Sequence, residues 1–167
     1  MTLQAIHARC VALFTETRVG YQAWQHEPIL DYETDERVGR ALGWTAEPTK
    51  SLFLRCKDGS HALLLTHRDS RLDAKRVKAL LGQRVSVCAD EEIQAVTGCL
   101  PGALCPFALS AHIPLLVDPA LVSMHSLMFT PGLPEQTFAF AARDLPALLA
   151  ALPNPLYWLD EADAPQG

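Results

Sequence analysis

The chain has 167 residues, 49% hydrophobic and 20% charged, the size and balance of one soluble globular domain with a buried core. Its formal net charge of −5 excludes broad coating of nucleic acid, which draws affinity from a basic excess, and leaves room only for a local contact. No apolar run reaches the roughly 20 residues of a membrane helix, and Met1-Thr2-Leu3-Gln4 lacks the basic, then apolar, pattern of a secretory leader.

In chain order, Thr2 caps a first helix whose Leu3, Ile6, Cys10, Leu13 and Phe14 recur at helical spacing. A strand follows at Tyr21-Gln22-Ala23-Trp24-Gln25, then a loop at His26-Glu27-Pro28, because a residue before proline avoids the helical region. Thr34 is the expected cap of a short helix through Val38 and Leu42, ended by Gly43. Residues 51–56 and 61–66 read as two strands around Lys57-Asp58-Gly59-Ser60, whose Asp-Gly is a hairpin signal.

A helix capped by Asp69 or Ser70 then carries Leu72, Val77, Leu80 and Leu81 up to Gly82. A strand at residues 85–88 precedes a helix opened by Asp90-Glu91-Glu92, where the macrodipole favours acids, and closed at Gly98. Residues 99–107, with Pro101, Gly102 and Pro106, form an irregular loop. Residues 113–117 form a strand that Pro114 places at a sheet edge, residues 137–141 another, and residues 145–152 a closing helix. No repeat or linker interrupts the pattern. The expected architecture is a single α+β domain over residues 1–160, with an acidic tail at 161–167.

Lys50 is the most informative side chain. Strand alternation puts it on one face with Leu52, Leu54 and Cys56, and an ammonium on an apolar face is costly without a partner. Spacing alone favours the bland reading, in which Lys50 opens the strand and snorkels to water. Gly102-Ala103-Leu104-Cys105-Pro106 is the second candidate, because glycine lets backbone approach a ligand and successive N–H groups can hold an anion or a developing oxyanion. Without context, a plain surface turn is the simpler account.

The five cysteines are scattered without a CxxC pair, which suits a reducing cytoplasm. Cys99 and Cys105 lack the surroundings of a thiol hydrolase, so packing is their expected role. The six histidines show no HExxH or His/Cys ligand spacing, and neither GxSxG nor a P-loop occurs, so neither metal nor cofactor is expected in the site. Arg71, Lys75 and Lys78 share one helix face, with Arg76 beside them, most simply as a solvated side.

Several segments together resemble the YbaK / prolyl-tRNA-synthetase editing-domain family. Thr49-Lys50-Ser51-Leu52-Phe53-Leu54 is similar to its lysine-bearing strand, and Leu72-Asp73-Ala74-Lys75 with Leu80-Leu81-Gly82 to the helix after its hairpin. Residues 97–107 are similar to its GxxxP loop, and His26-Glu27-Pro28 and Val117-Asp118-Pro119 fall in matching order. The likeness spans about residues 20–150.

The resemblance implies a mixed, barrel-like sheet with surrounding helices, and hydrolysis of the ester that joins a wrong, small amino acid to tRNA. It gives Lys50 a positioning and electrostatic role near the terminal adenosine or the substrate's α-amino and phosphate groups. It places His26, Gly102, Ala103, Leu104, Cys105, Pro106 and Gly132 at the substrate, and makes a water the nucleophile with help from the terminal ribose hydroxyl. Its expected partners are the aminoacyl-tRNA acceptor end and, as a candidate, an aminoacyl-tRNA synthetase. No His stands in Phe129-Thr130-Pro131-Gly132, where alanine-specific relatives carry one and where Gly132 takes the small-residue role of other members; His125 is out of register. Alanine is therefore not singled out, and serine, threonine or another small amino acid is equally open as the edited residue. A catalytically silent module that binds tRNA or a synthetase, and a thiol hydrolase using Cys105, are the competing functions.

Overall fold

The Asp-Gly hairpin forms the centre of the structure, a computed structural model in which residues 1–159 are described. Strands β2 (Glu47–Cys56) and β3 (His61–His67) pair antiparallel, with Lys50 opposite Thr66 and Leu54 opposite Ala62. Around them stand β1 (Tyr21–Gln25), β4 (Val85–Val87), β5 (Leu115–Val117), β6 (Ser126–Phe129), β7 (Gln136–Ala141) and β8 (Leu156–Trp158). The mixed sheet runs β1-β7-β6-β2-β3-β5-β8, with β4 paired to β2 off that path.

The helices are α1 (Leu3–Thr17), α2 (Tyr32–Leu42), α3 (Ala74–Leu81), α4 (Asp90–Thr97) and α5 (Leu145–Ala150). Their starts follow from local hydrogen bonding, because a side-chain oxygen satisfies an N–H that the first turn leaves unpaired. Thr2 accepts from Ala5 N at 3.1 Å, Asp31 from Thr34 N at 2.7 Å, and Asp73 from Arg76 N at 3.2 Å.

Alternation on β3 sorts the core. Leu63 and Leu65 join the main cluster with Phe53, Leu115, Val117, Leu127 and Phe129, closed by α1 and α5. Ala62 and Leu64 face the other way, into a smaller cluster with Leu54, Leu116 and Val77 of α3. Phe14 of α1 is the centre of the aromatic packing, with Tyr21, Phe107, Phe129, Phe138 and Phe140 at centroid distances of 5.1–6.2 Å. The sheet thus carries a core cluster on each side of β3, and the expected single α+β domain with a mixed sheet and flanking helices holds.

Several boundaries differ from expectation for physical reasons. The cap of α2 is Asp31, not Thr34, whose N–H is the group being capped. The cap of α3 is Asp73, so Leu72 and Arg71 precede the helix and only Lys75 and Lys78 of the basic set lie on it with Arg76. β5 is not an edge strand: β3 and β8 flank it, and Pro114 stands just before it, where its carbonyl accepts from Leu63 N at 2.9 Å. Pro48 lies inside β2, within the short parallel pairing with β6, where it stands opposite Met128. β6 and β8 are strands that the residue pattern alone does not announce. The tail beyond Asp160 lies outside the described residues.

Candidate active site

One edge of β2 is fully paired to β3, but the other is shared. β6 takes its start, at Glu47 and Pro48, and β4 takes its end, from Leu54 to Cys56. Between them, among the described residues, no strand takes this edge of β2, and Thr49, Lys50 and Ser51 of that stretch line a cavity of about 280 Å³. The splay of β6 from β4 is therefore what opens the site. Met128, Phe129 and Thr130 from the end of β6, Ile93 of α4, and Gly102 and Leu104 complete the inner wall. Asp31, Tyr32 and Asp35 at the start of α2, with Arg68 just beyond β3, add a charged side.

Lys50 is half-buried and its Nζ donates to the Ser70 carbonyl at 2.6 Å. Among the described residues no carboxylate lies within ion-pair distance of it, so its charge is held in place without being neutralised. Arg68, by contrast, is ion-paired to Asp35 and sits 4.7 Å over the Tyr32 ring. The bond from the Thr34 backbone N–H holds the Asp31 carboxyl below its ordinary range.

The loop of residues 102–106 divides. Gly102 and Leu104 line the cavity, and among the described residues no protein acceptor takes their N–H groups. Ala103, Cys105 and Pro106 instead face the core, with Ala103 N donating to Leu100 O at 2.9 Å. Cys105 is fully buried, and its thiol, together with burial, pushes the neighbouring Cys10 thiol up. All five cysteines are free thiols.

Gly102 has a φ of +84°, and a Cβ there would lie 2.2 Å from the Leu30 carbonyl oxygen. Its lack of a side chain admits the 29–31 segment rather than the substrate directly. Gly132 is similar in kind: a Cβ would meet Ile6 Cγ2 of α1 at 2.8 Å, and it does not line the cavity. His26 stands behind the wall. Its Nδ1 lies 2.6 Å from the Glu27 carbonyl, which can only accept, so in the neutral ring Nε2 accepts from the Thr137 hydroxyl at 2.8 Å, and Thr137 lines the cavity.

Sequence reasoning missed the charged side formed by Asp31, Tyr32, Asp35 and Arg68. The cap at Asp31 was the one local signal available. It also missed a cluster outside the cavity, where His61, Cys88 and Glu92 bring their ligating atoms within 4.8 Å of one another. Asp118, of the Val117-Asp118-Pro119 motif, serves the fold by accepting from Thr66 Oγ1 at 2.8 Å and from Ala120 N at 2.9 Å.

Residues 32–148 match the family model of the aminoacyl-tRNA editing domain. The chain is 26% identical over 144 residues to the multifunctional Ser/Thr-tRNA deacylase ProXp-y of Escherichia coli (strain K12), across 83% of this chain and 84% of that protein. It is 31% identical over 107 residues to the proline–tRNA ligase of Trichlorobacter lovleyi, across 63% of this chain but 19% of the ligase. Among solved structures, a proposed trans-editing enzyme for prolyl-tRNA synthetase shares the fold with a TM-score of 0.67 at 20% identity, over 93% of this chain and 97% of the other. A hypothetical protein does so with a TM-score of 0.74 at 21% identity, over 89% and 97%. No helix among the described residues is long and apolar enough to cross a membrane. With a family match over most of its length and the lysine strand and glycine loop lining one cavity, the chain belongs to the aminoacyl-tRNA editing-domain family.

Proposed function

We propose that this chain removes a wrongly attached small amino acid, such as alanine, serine or threonine, from tRNA by hydrolysing the ester to the terminal ribose. The observation that carries the reading is the Lys50 ammonium, fixed on Ser70 and without a carboxylate partner among the described residues, on the wall of a cavity of about 280 Å³. A preorganised cation stabilises charge that develops in the transition state, at little cost of reorganisation. The free N–H groups of Gly102 and Leu104 add donors on the same wall.

Water adds to the ester carbonyl carbon, charge grows on the carbonyl oxygen, and the ribose oxygen leaves with a proton. Cys105 cannot serve as the nucleophile from where it stands, since it is buried against Cys10 and away from the cavity. The Asp31 carboxylate suits the substrate's α-ammonium, Asp35 being ion-paired to Arg68, and Lys50 suits the oxyanion or a phosphate of the terminal nucleotide. A cavity of this size takes a small side chain readily, in keeping with the names of the deacylase relatives.

The alternative is a silent module of the same fold that only binds tRNA or a synthetase, with Lys50 on a phosphate. Incubating the chain with alanyl-, seryl-, threonyl- and prolyl-tRNA mischarged pairs separates the two. Release of free amino acid from at least one pair supports hydrolysis, and tRNA retention with every ester intact supports the silent module.

A further inference from the structure

At the far end of the β2–β3 hairpin from the cavity, three side chains from separate segments converge. His61 opens β3 opposite Arg55, Cys88 follows β4, and Glu92 lies in the first turn of α4. His61 Nε2 and Glu92 Oε2 are 2.6 Å apart, and the Nε2, Sγ and carboxylate atoms of the three all lie within 4.8 Å of one another. We propose that His61, Cys88 and Glu92 bind one zinc ion, through imidazole nitrogen, thiolate sulfur and carboxylate oxygen, with water in the fourth position.

The donor set is what a borderline-soft divalent ion selects: one nitrogen, one sulfur, one oxygen, and no requirement for a cage of hard oxygens. Tetrahedral zinc with bonds of about 2.0–2.3 Å needs ligand atoms roughly 3.3–3.8 Å apart. The His–Glu pair, at 2.6 Å, must therefore open to admit the ion.

The scaffold around the three is already fixed. The Phe53 ring stacks on the His61 ring at 5.2 Å with planes 13° apart, and Cys88 N donates to the Phe53 carbonyl at 2.9 Å. Cys88 is 6% exposed, whereas the side chains of His61 and Glu92 keep 17% and 25% of their surface, which gives an ion a way in.

Arg55 is the charge that opposes a cation here. Its contact is to Glu92 Oε1, at 3.4 Å, while the proposed ligand atom is Oε2, and its own side chain is 55% exposed. Arg55 can therefore stay as an outer partner of the ligating carboxylate or turn to solvent. On binding, Cys88 gives its thiol proton to water, and the proton that His61 Nε2 shares with Glu92 must also leave that nitrogen, so that the neutral ring binds through Nε2 with its proton carried on Nδ1. The ion would clip the hairpin to the start of α4, whose Ile93 lines the cavity.

The test uses the full chain freed of metal, titrated with Zn2+ and, as a spectroscopic stand-in, Co2+. The expected result is one equivalent of Zn2+ that displaces Co2+, a near-ultraviolet thiolate-to-cobalt band, and a zinc-dependent rise in Tm. Cys88→Ser should abolish the band, and both Cys88→Ser and Glu92→Gln should weaken Zn2+ binding by about ten-fold or more, because even outer partners of a metal site are worth 10–100-fold. Glu92→Gln, at a partly exposed position, keeps the test open if Cys88→Ser fails to fold. Absence of stoichiometric binding to wild type, or unchanged affinity in the folded variants, overturns the site.

Discussion

The Cβ that Gly102 lacks would stand 2.2 Å from the carbonyl oxygen of Leu30, in a residue whose φ of +84° already disfavours any side chain. The two residues bring the loop of residues 102–106 against the segment that leads into α2, so the inner wall and the charged side of the cavity are joined at this contact. Gly102→Ala must shift backbone, not a side-chain tip. The expected outcome is a loss on the order of 1–3 kcal/mol in stability, with deacylation reduced on every substrate. Urea denaturation beside rate measurements checks this; wild-type stability and rates in Gly102→Ala would show that the close contact does not hold.

Substrate preference should follow the residues that line the cavity. Leu104→Ala enlarges it, and each methylene of fit is worth about 1–3 kcal/mol in discrimination. The expected shift is toward bulkier amino acids, with threonine gaining on alanine. Cys105→Ala, buried beside Cys10, should leave the order unchanged and most of the rate intact. Relative kcat/KM across a panel of mischarged tRNAs reads both, and a preference that tracks Cys105 instead would place the pocket on the wrong side of the loop.

Acid should destabilise the fold through identifiable carboxylates. Asp31 is held below its ordinary range by the Thr34 backbone N–H, Glu27 by Arg37, and Glu92 by His61. A carboxyl with a lowered folded pKa binds fewer protons folded than unfolded, so its contribution is full above the unfolded value and is lost as pH falls through the folded one. Tm should therefore decline from about pH 5 downward. Asp31→Asn keeps a capping side chain but removes the titration, and should flatten part of that decline. An identical pH profile in Asp31→Asn would remove Asp31 from the explanation.

Deacylation should survive chelation. The cluster of His61, Cys88 and Glu92 lies outside the cavity, and the proposed chemistry uses a lysine and backbone donors. Activity that collapses in EDTA and returns with one added metal would contradict this assignment.

Local rules were enough for much of the fold. Asp58-Gly59 marked the hairpin, Gly43, Gly82 and Gly98 marked helix ends, and Thr2 marked a start, because each is a short-range steric or hydrogen-bonding demand. What escaped depends on pairing across distance. Nothing in Ser126–Phe129 announces a parallel partner at Glu47 and Pro48, and it is that pairing which splays the sheet. Lys50 and Gly102 were legible as candidates, but Asp35 and Arg68 meet only in the folded chain. The loop of residues 102–106 was read as one substrate wall, whereas its residues alternate between cavity and core.

The most direct test of the proposed chemistry is deacylation of seryl-, threonyl- and alanyl-tRNA by wild type and Lys50→Ala, with circular dichroism to confirm folding. Lys50 touches Ser70 through one hydrogen bond, so its removal should leave the fold intact. The expected result is a rate lowered about ten-fold or more on the preferred substrate, the equivalent of at least about 1.4 kcal/mol of transition-state stabilisation. A folded Lys50→Ala variant that deacylates at the wild-type rate would contradict the assignment of this cavity as the active site.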